Sequence, residues 1–470
     1  MRKGRIGQGA AFGVFWGLIV LLCGSPARAE GDLKISASPS VALYGEPFSV
    51  RVTGLRPGER AAIKASSRDG RGKDWEATVF FEADASGAVD VGRHAPVSGS
   101  YEGADIFGLL WSMKQADPDS KKPTRYIDDE VNGWTVDYTV TDEAGATAST
   151  RLRCVFQRPG RPLVRVPLET DGLYGFLYHP AQGGPFPGVI ILGGSNGGLY
   201  EWLARAFASN GFAALTIAYF GYRDLPAELV EIPLERFPNA VAWLKSQPAV
   251  RSDRIGLVGG SKGGELAMLL ASRYDDYRAV VGWTPAAHVW EGLSQKFFSQ
   301  DYQPLSSWSI NGKGLPFMAF KASAEDKARE FRGEIDSFIP FHKDSMARSD
   351  PAAIERARIP VEDIKAPILL ISGTDDHTWP AGEFCEVIVA TLKKSGFPYE
   401  VKHVSHEGGG HQSFLPYFVT NGHGGISGGT PRVDAKSGYI SWAETIAFLH
   451  RHLDKCEKSR HPRVERELSF

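Results

Sequence analysis

A chain of 470 residues, 42% hydrophobic and 23% charged, is too long for one ordinary core and too apolar for a disordered or fibrous protein. Its 53 basic and 55 acidic side chains give a net charge of -2, which offers no basic surface for nucleic acid. Two globular domains are expected.

Residues 1–29 read as an export signal: basic Arg2, Lys3 and Arg5, an apolar stretch from Phe12 to Cys23, and Ala27-Arg28-Ala29 as a cleavage site. The apolar stretch is short for a bilayer, and Leu22 precedes Cys23 where lipidation needs a small residue. A secreted or periplasmic protein with no stable membrane insertion is therefore expected. Loss of this segment leaves 49 basic against 55 acidic side chains, a net charge near -6. The remaining Cys154, Cys385 and Cys456 lack metal-like spacing and allow at most one disulfide within the chain.

From residue 30 to about 160 the pattern is β. Runs such as "ATVFFEADASGAVDV" and "GWTVDYTVTDEAGATASTRLRCVF" alternate apolar and polar residues between glycine-containing turns. Such spacing predicts a β-sandwich of immunoglobulin-like type. The segment "QRPGRPL", residues 157–163, breaks the periodicity and marks a domain boundary.

The rhythm then changes. Over residues 161–456, apolar runs such as "GVIILGG", "AALTIAY", "IGLVGG", "AVVGW" and "PILLISG" alternate with amphipathic stretches such as "LYEWLARAFASNG", "FPNAVAWLKSQ" and "GEFCEVIVATLKKSG". Alternation of this kind predicts a mostly parallel sheet flanked by helices, with reactive groups at the carboxyl ends of its strands. Between about 287 and 366 it lapses into an aromatic-rich stretch, read as a cap over that edge. Residues 457–470 read as a flexible tail.

Gly259-Gly260-Ser261-Lys262-Gly263 lies between the run "IGLVG" and a stretch carrying Leu266, Leu269 and Leu270. Glycines two before and two after a serine permit a sharp strand-to-helix turn that exposes its hydroxyl at a helix N-terminus. The Lys262 amide there would face a developing oxyanion. A serine nucleophile needs a base, and the base needs an acid to fix its tautomer. "PILLISG" runs into Asp375 and Asp376, which residue chemistry alone does not separate, and "EVKHVSHEGGGHQSF" then supplies His403, His406 and His411. The order serine, acid, histidine suits such a site. His411 is preferred because Gly408, Gly409 and Gly410 form a loop that brings a side chain over the turn. A second oxyanion donor, the amide of Ser195 or Gly194, is expected from "ILGGSNGGLYE", residues 191–201, whose glycines lack nucleotide-binding spacing.

With "SYEGADIFGLLWSM" at 100–113, "GGLYEWLARAFASNGFAALTIAYFGYRDLP" at 197–226, "GLVGGSKGGELAMLLAS" at 256–272, "GTDDHTWPAGEF" and "GGGHQSFLPYF", the chain resembles the acyl-CoA thioesterase and bile acid-CoA:amino acid N-acyltransferase family. The resemblance implies an N-terminal β-sandwich on an α/β-hydrolase domain, with Ser261, Asp376 and His411 at the triad positions, and it selects Asp376 over Asp375. Transferases of that family use a cysteine nucleophile; serine here favours hydrolysis of an acyl thioester or carboxylic ester, with no cofactor and no metal. The rivals are a dienelactone-hydrolase-like esterase or peptidase, an amino acid N-acyltransferase, and a non-catalytic exported binding module.

Overall fold

The computed structural model describes residues 33–116, 133–170, 172–298, 302–416 and 425–454. The segments read as an export signal and a tail, and Cys456, therefore lie outside the described residues. From Leu33 onward the described chain packs as one compact unit.

Two sheets form first. One joins Lys34–Ser38, Ser49–Thr53 and Val89–Asp90; the other runs Val41–Leu43, Thr147–Val155, Trp134–Asp142, Arg60–Arg68, Asp74–Glu82 and Ser98–Gly99, with Lys114–Gln115 also on Asp74–Glu82. Along Asp74–Glu82 every second residue is buried, so one face of the pleat is dry and the other wet. Ile35, Val50 and Val52 of one sheet enter the same apolar cluster as Ile63, Phe81 and Val136 of the other.

After the coil at 157–162 comes an eight-stranded sheet in the spatial order Leu163–Thr170, Leu173–Pro180, Ala213–Ala218, Phe186–Leu192, Val250–Gly260, Ala279–Trp283, Ile368–Gly373 and Val401–His406. The first two strands pair antiparallel with their neighbours and the rest are parallel, the strand order and direction of an α/β-hydrolase sheet. Ala213–Ala218 and Ile368–Gly373 are buried at every residue, because helices cover both faces. The amphipathic stretches form the helices Glu201–Ser209, Phe237–Ser246 and Ala381–Lys394. Consecutive parallel strands end on one edge, which gathers the turns after Leu192, Gly260, Gly373 and His406. Within 287–366 lie the helices Ala324–Phe331, Ile339–Ala347 and Pro351–Ala357 and the strand Trp308–Ile310, central in a small sheet between Ile232–Pro233 and Lys313–Gly314.

A final helix, Pro431–Leu453, joins the two regions. Its Trp442 meets Tyr44 edge-on at 5.2 Å and Phe207 of the hydrolase-type half at 4.8 Å, while Trp283 Nε1 donates to Thr445 Oγ1 at 3.0 Å. Trp442, Tyr44 and Phe207 are almost fully buried at this joint, where aromatic surface packs on aromatic surface. Among the described residues no helix is long and apolar enough to cross a membrane. Cys385 is a buried thiol on the helix Ala381–Lys394, and Cys154 lies in the core of the N-terminal sheets.

Candidate active site

The strand Val250–Gly260 and the helix Lys262–Ala271 are separated by Ser261 alone. Its backbone has φ 57° and ψ -123°, a region that side-chain-bearing residues rarely occupy. A Cβ on Gly259 would fall 2.0 Å from the Gly263 carbonyl oxygen, and one on Gly263 would fall 2.4 Å from that of Gly193. Both glycines are steric requirements of the turn. The neighbours hold the strain: the Ser261 amide donates to the Trp283 carbonyl at 2.8 Å, and the Glu265 amide donates to the Ser261 carbonyl at 3.0 Å.

His411 Nε2 lies 2.9 Å from Ser261 Oγ, and His411 Nδ1 lies 2.7 Å from Asp376 Oδ2. The other oxygen of Asp376 accepts the amides of Thr378 at 2.8 Å and Trp379 at 3.2 Å. Because an ionised carboxylate only accepts, Nδ1 carries the imidazole proton and the Nε2 lone pair faces the hydroxyl. Asp376 is 6% exposed and His411 7%, so little water competes for these contacts.

The histidine loop is held from behind. The His411 amide donates to the Ser427 carbonyl at 2.7 Å, and the Gly410 amide donates to Asp434 Oδ1 at 2.8 Å. Burial pushes the Asp434 carboxyl up to about 6, against the pull of the Gly410 amide, with Asp375 and Asp376 adding to the rise. The other sequence candidates go elsewhere. Asp375 bonds His377 Nε2 at 3.1 Å and accepts the Gly429 amide at 3.0 Å. His403 and His406 lie on the strand Val401–His406 and bond Ser372 Oγ and Ser441 Oγ, each at 2.8 Å.

Lys262 is the first residue of its helix, where an amide has no intrahelical acceptor. Gly194 packs beside the serine, since a Cβ there would come within 3.4 Å of Ser261 Cβ, and Ser195 lines the adjoining cavity. The side chain of Lys262 escaped the sequence reading. Its Nζ turns inward to Glu265 at 3.0 Å, Ser307 Oγ at 2.8 Å and the Trp290 carbonyl at 3.4 Å, and Glu265 also accepts the Trp308 indole at 2.7 Å. Burial lowers the Lys262 pKa and raises that of Glu265, each partly restored by the other. The pair stands three residues apart, one helical turn, and that spacing was the available signal.

Ser261 opens on a cavity of about 500 Å³ whose walls include the aromatic side chains of Trp290, Phe320, Phe338, Phe341 and Trp379. An apolar recess beside an activated hydroxyl suits a hydrocarbon group attached to a reacting carbonyl. Among the described residues no group of three or more His, Cys, Asp or Glu side chains is placed to hold a metal ion.

Residues 232–455 match the family model for the BAAT / acyl-CoA thioester hydrolase C terminal, and residues 45–166 match that for the acyl-CoA thioester hydrolase/BAAT N-terminal region. Acyl-coenzyme A thioesterase 2, mitochondrial, of Mus musculus is 29% identical over 445 residues, spanning 91% of this chain and 90% of its own. The peroxisomal succinyl-coenzyme A thioesterase of Mus musculus is 28% identical over 424 residues, spanning 87% and 94%. Among solved structures, the 2,6-dihydroxy-pseudo-oxynicotine hydrolase aligns with TM-score 0.38 at 16% identity over 63% of this chain and 69% of its own. The Pyrococcus furiosus esterase PF2001 aligns with TM-score 0.37 at 13% identity over 62% and 92%. Matching both family models in order, and these relatives over most of its length, the chain belongs to the acyl-CoA thioesterase and bile acid-CoA:amino acid N-acyltransferase family of enzymes.

Proposed function

We propose that the protein is a serine hydrolase that cleaves acyl thioesters of the acyl-CoA type, or carboxylic esters, through an acyl-enzyme on Ser261. The observation that carries this reading is the chain of short contacts from Asp376 through His411 to Ser261, ending at an apolar cavity. As Ser261 Oγ bonds to the acyl carbon, its proton passes to His411 Nε2, and Asp376 stabilises the imidazolium that forms. The carbonyl oxygen gains negative charge and is met by the amides of Lys262 and of the 194–195 turn. His411 then delivers the proton to the departing thiolate or alkoxide, and a water molecule repeats the sequence to release the acid.

The relatives' names support a thioester substrate. Serine supports hydrolysis, because it leaves an oxygen ester that a histidine-activated water resolves. We also read residues 30–160 as an immunoglobulin-like sandwich, 161–456 as the catalytic domain with 287–366 as its cap, and residues 1–29 as the signal for a secreted or periplasmic location.

The test is turnover of a panel of acyl-CoA thioesters and nitrophenyl esters. At least one class is expected to be hydrolysed, and His411→Ala is expected to lower its kcat/KM by about a thousandfold or more. A folded protein inactive on the whole panel, or a His411→Ala variant within about tenfold of the parent, would remove the reading.

A further inference from the structure

His342 takes no part in the chemistry above, yet it lines the cavity that opens from Ser261. It sits on the helix Ile339–Ala347 with 3% of its surface exposed. Its ring stands edge-on to Trp290 at 4.6 Å and to Phe320 at 4.9 Å, and Trp379 stands edge-on both to His342 at 6.4 Å and to His411 at 6.1 Å. A neutral imidazole among aromatic rings is costly to bury unless both its nitrogens find partners.

One nitrogen is satisfied. His342 Nδ1 lies 2.9 Å from the Phe338 carbonyl oxygen, which can only accept, so Nδ1 carries the proton and Nε2 carries a lone pair. Burial lowers the pKa of the ring to about 4, with Lys262 and His411 adding to the fall, and it therefore stays neutral near pH 7. Among the described residues Nε2 has no hydrogen-bond partner. Other polar groups of the same wall are already engaged: the Lys262 ammonium by Glu265 and Ser307, the Glu291 carboxylate by the Phe320 amide, and the Thr378 hydroxyl by the Ile426 carbonyl. The aromatic wall of the cavity thus presents His342 Nε2 as an acceptor awaiting a donor, beside the indole N–H of Trp290, which also has no partner among the described residues.

Building on the proposed acyl-enzyme chemistry, we infer that this cavity selects acyl groups bearing a hydroxyl, which donates to His342 Nε2 while the hydrocarbon fills the aromatic walls. A plain alkyl chain entering the same recess leaves the imidazole acceptor without a donor, and sites built to bond a hydroxyl discriminate against analogues that lack it. His342 is in this sense a specificity-determining residue. It touches the substrate away from the reacting carbonyl.

Binding measured on Ser261→Ala protein separates this inference from the hydrolytic reading, because it needs no turnover. Decanoic acid and its 3-, 6- and 10-hydroxy counterparts are titrated while the fluorescence of the cavity tryptophans is followed, with calorimetry as a second readout. At least one hydroxy acid is expected to bind about tenfold more tightly than decanoic acid, the size of one net hydrogen bond in a partly dry site. That advantage is expected to vanish when His342→Phe is added, a change that preserves ring volume. Decanoic acid binding as tightly as every hydroxy acid overturns the inference, a result obtainable without the second variant. An advantage that survives His342→Phe overturns it too. Discrimination without hydrolysis in the parent protein would count against the proposed function alone.

Discussion

Asp375 and Asp376 are adjacent in sequence and divided by geometry. Asp376 holds the Nδ1–H of His411 at 2.7 Å, whereas Asp375 ties His377 to the Gly429 amide. Asp376→Asn, which keeps the shape but can present an amide N–H to Nδ1 and so favour the wrong tautomer, is expected to lower kcat by three to four orders of magnitude, on the order of 10³ to 10⁴. Asp375→Asn, removing only loop contacts, is expected to change kcat by about tenfold at most. Equal losses in the two variants would contradict the assignment, and steady-state kinetics on one ester decides it. At this scale the sequence showed which residue types were needed and in what order. Ser261 was legible because its turn demands glycines at fixed offsets. Residue chemistry alone did not separate Asp376 from its neighbour, because that choice depends on the direction of one carboxylate after the strand Ile368–Gly373 has ended, and only the family resemblance selected it. His342 and Asp434 were invisible, since each matters through contacts with residues remote in the chain.

At the scale of elements, the apolar runs read from the sequence coincide with Phe186–Leu192, Ala213–Ala218, Val250–Gly260, Ala279–Trp283 and Ile368–Gly373. They stood out because strands buried on both faces are apolar throughout. The hairpin Leu163–Thr170 with Leu173–Pro180 was missed, and its first strand shows why: only Leu168 of its eight residues is buried, so no apolar run marks it. The helix Pro431–Leu453 was missed for a different reason. Its buried face carries Asp434, Ser437, Ser441 and Thr445 among the apolar residues, which blurs the 3.6-residue period. Those polar positions are spent on the site and the joint: Asp434 on the Gly410 amide, Ser441 on His406, and Thr445 on Trp283. Its start was still signalled, with Thr430 accepting the Val433 amide at 3.3 Å and Pro431 at the first helical position. The Lys262 and Glu265 pair does comparable work, anchoring the turn that bears Ser261 to Ser307 and Trp308.

Across the whole molecule, burial holds several interior histidines in their neutral form. Burial lowers His288, His342 and His406 each to about 4, with Arg358 adding to the effect at His288 and His403 at His406. A base whose folded pKa lies below its unfolded value of about 6.5 supports the fold fully above that value, and the support is lost as pH falls from about 6.5 toward 4. Each histidine contributes up to about 3 kcal/mol on this scale. Asp434 acts in the opposite sense: its raised folded pKa makes stability fall as pH rises from about 4 to 6, which offsets part of the trend. Glu265, whose pKa burial also raises, adds to that offset, and the three histidines outweigh the two carboxyls. Urea unfolding between pH 7 and pH 5 is therefore expected to show a loss of a few kcal/mol toward the acid side, with a shallower slope in His342→Phe. A stability independent of pH over that range would contradict the reading of a dry interior.

The most direct test of the central claim is covalent labelling of the nucleophile. A fluorophosphonate reacts by far fastest with a hydroxyl that a neighbouring base has activated, and peptide mapping shows which one. The expected result is stoichiometric modification of the peptide containing Ser261, slowed in His411→Ala and absent in Ser261→Ala. Undiminished labelling of Ser261→Ala, or no labelling of the folded parent protein, would mean that the hydroxyl, imidazole and carboxylate brought together at the sheet edge do not act as a unit.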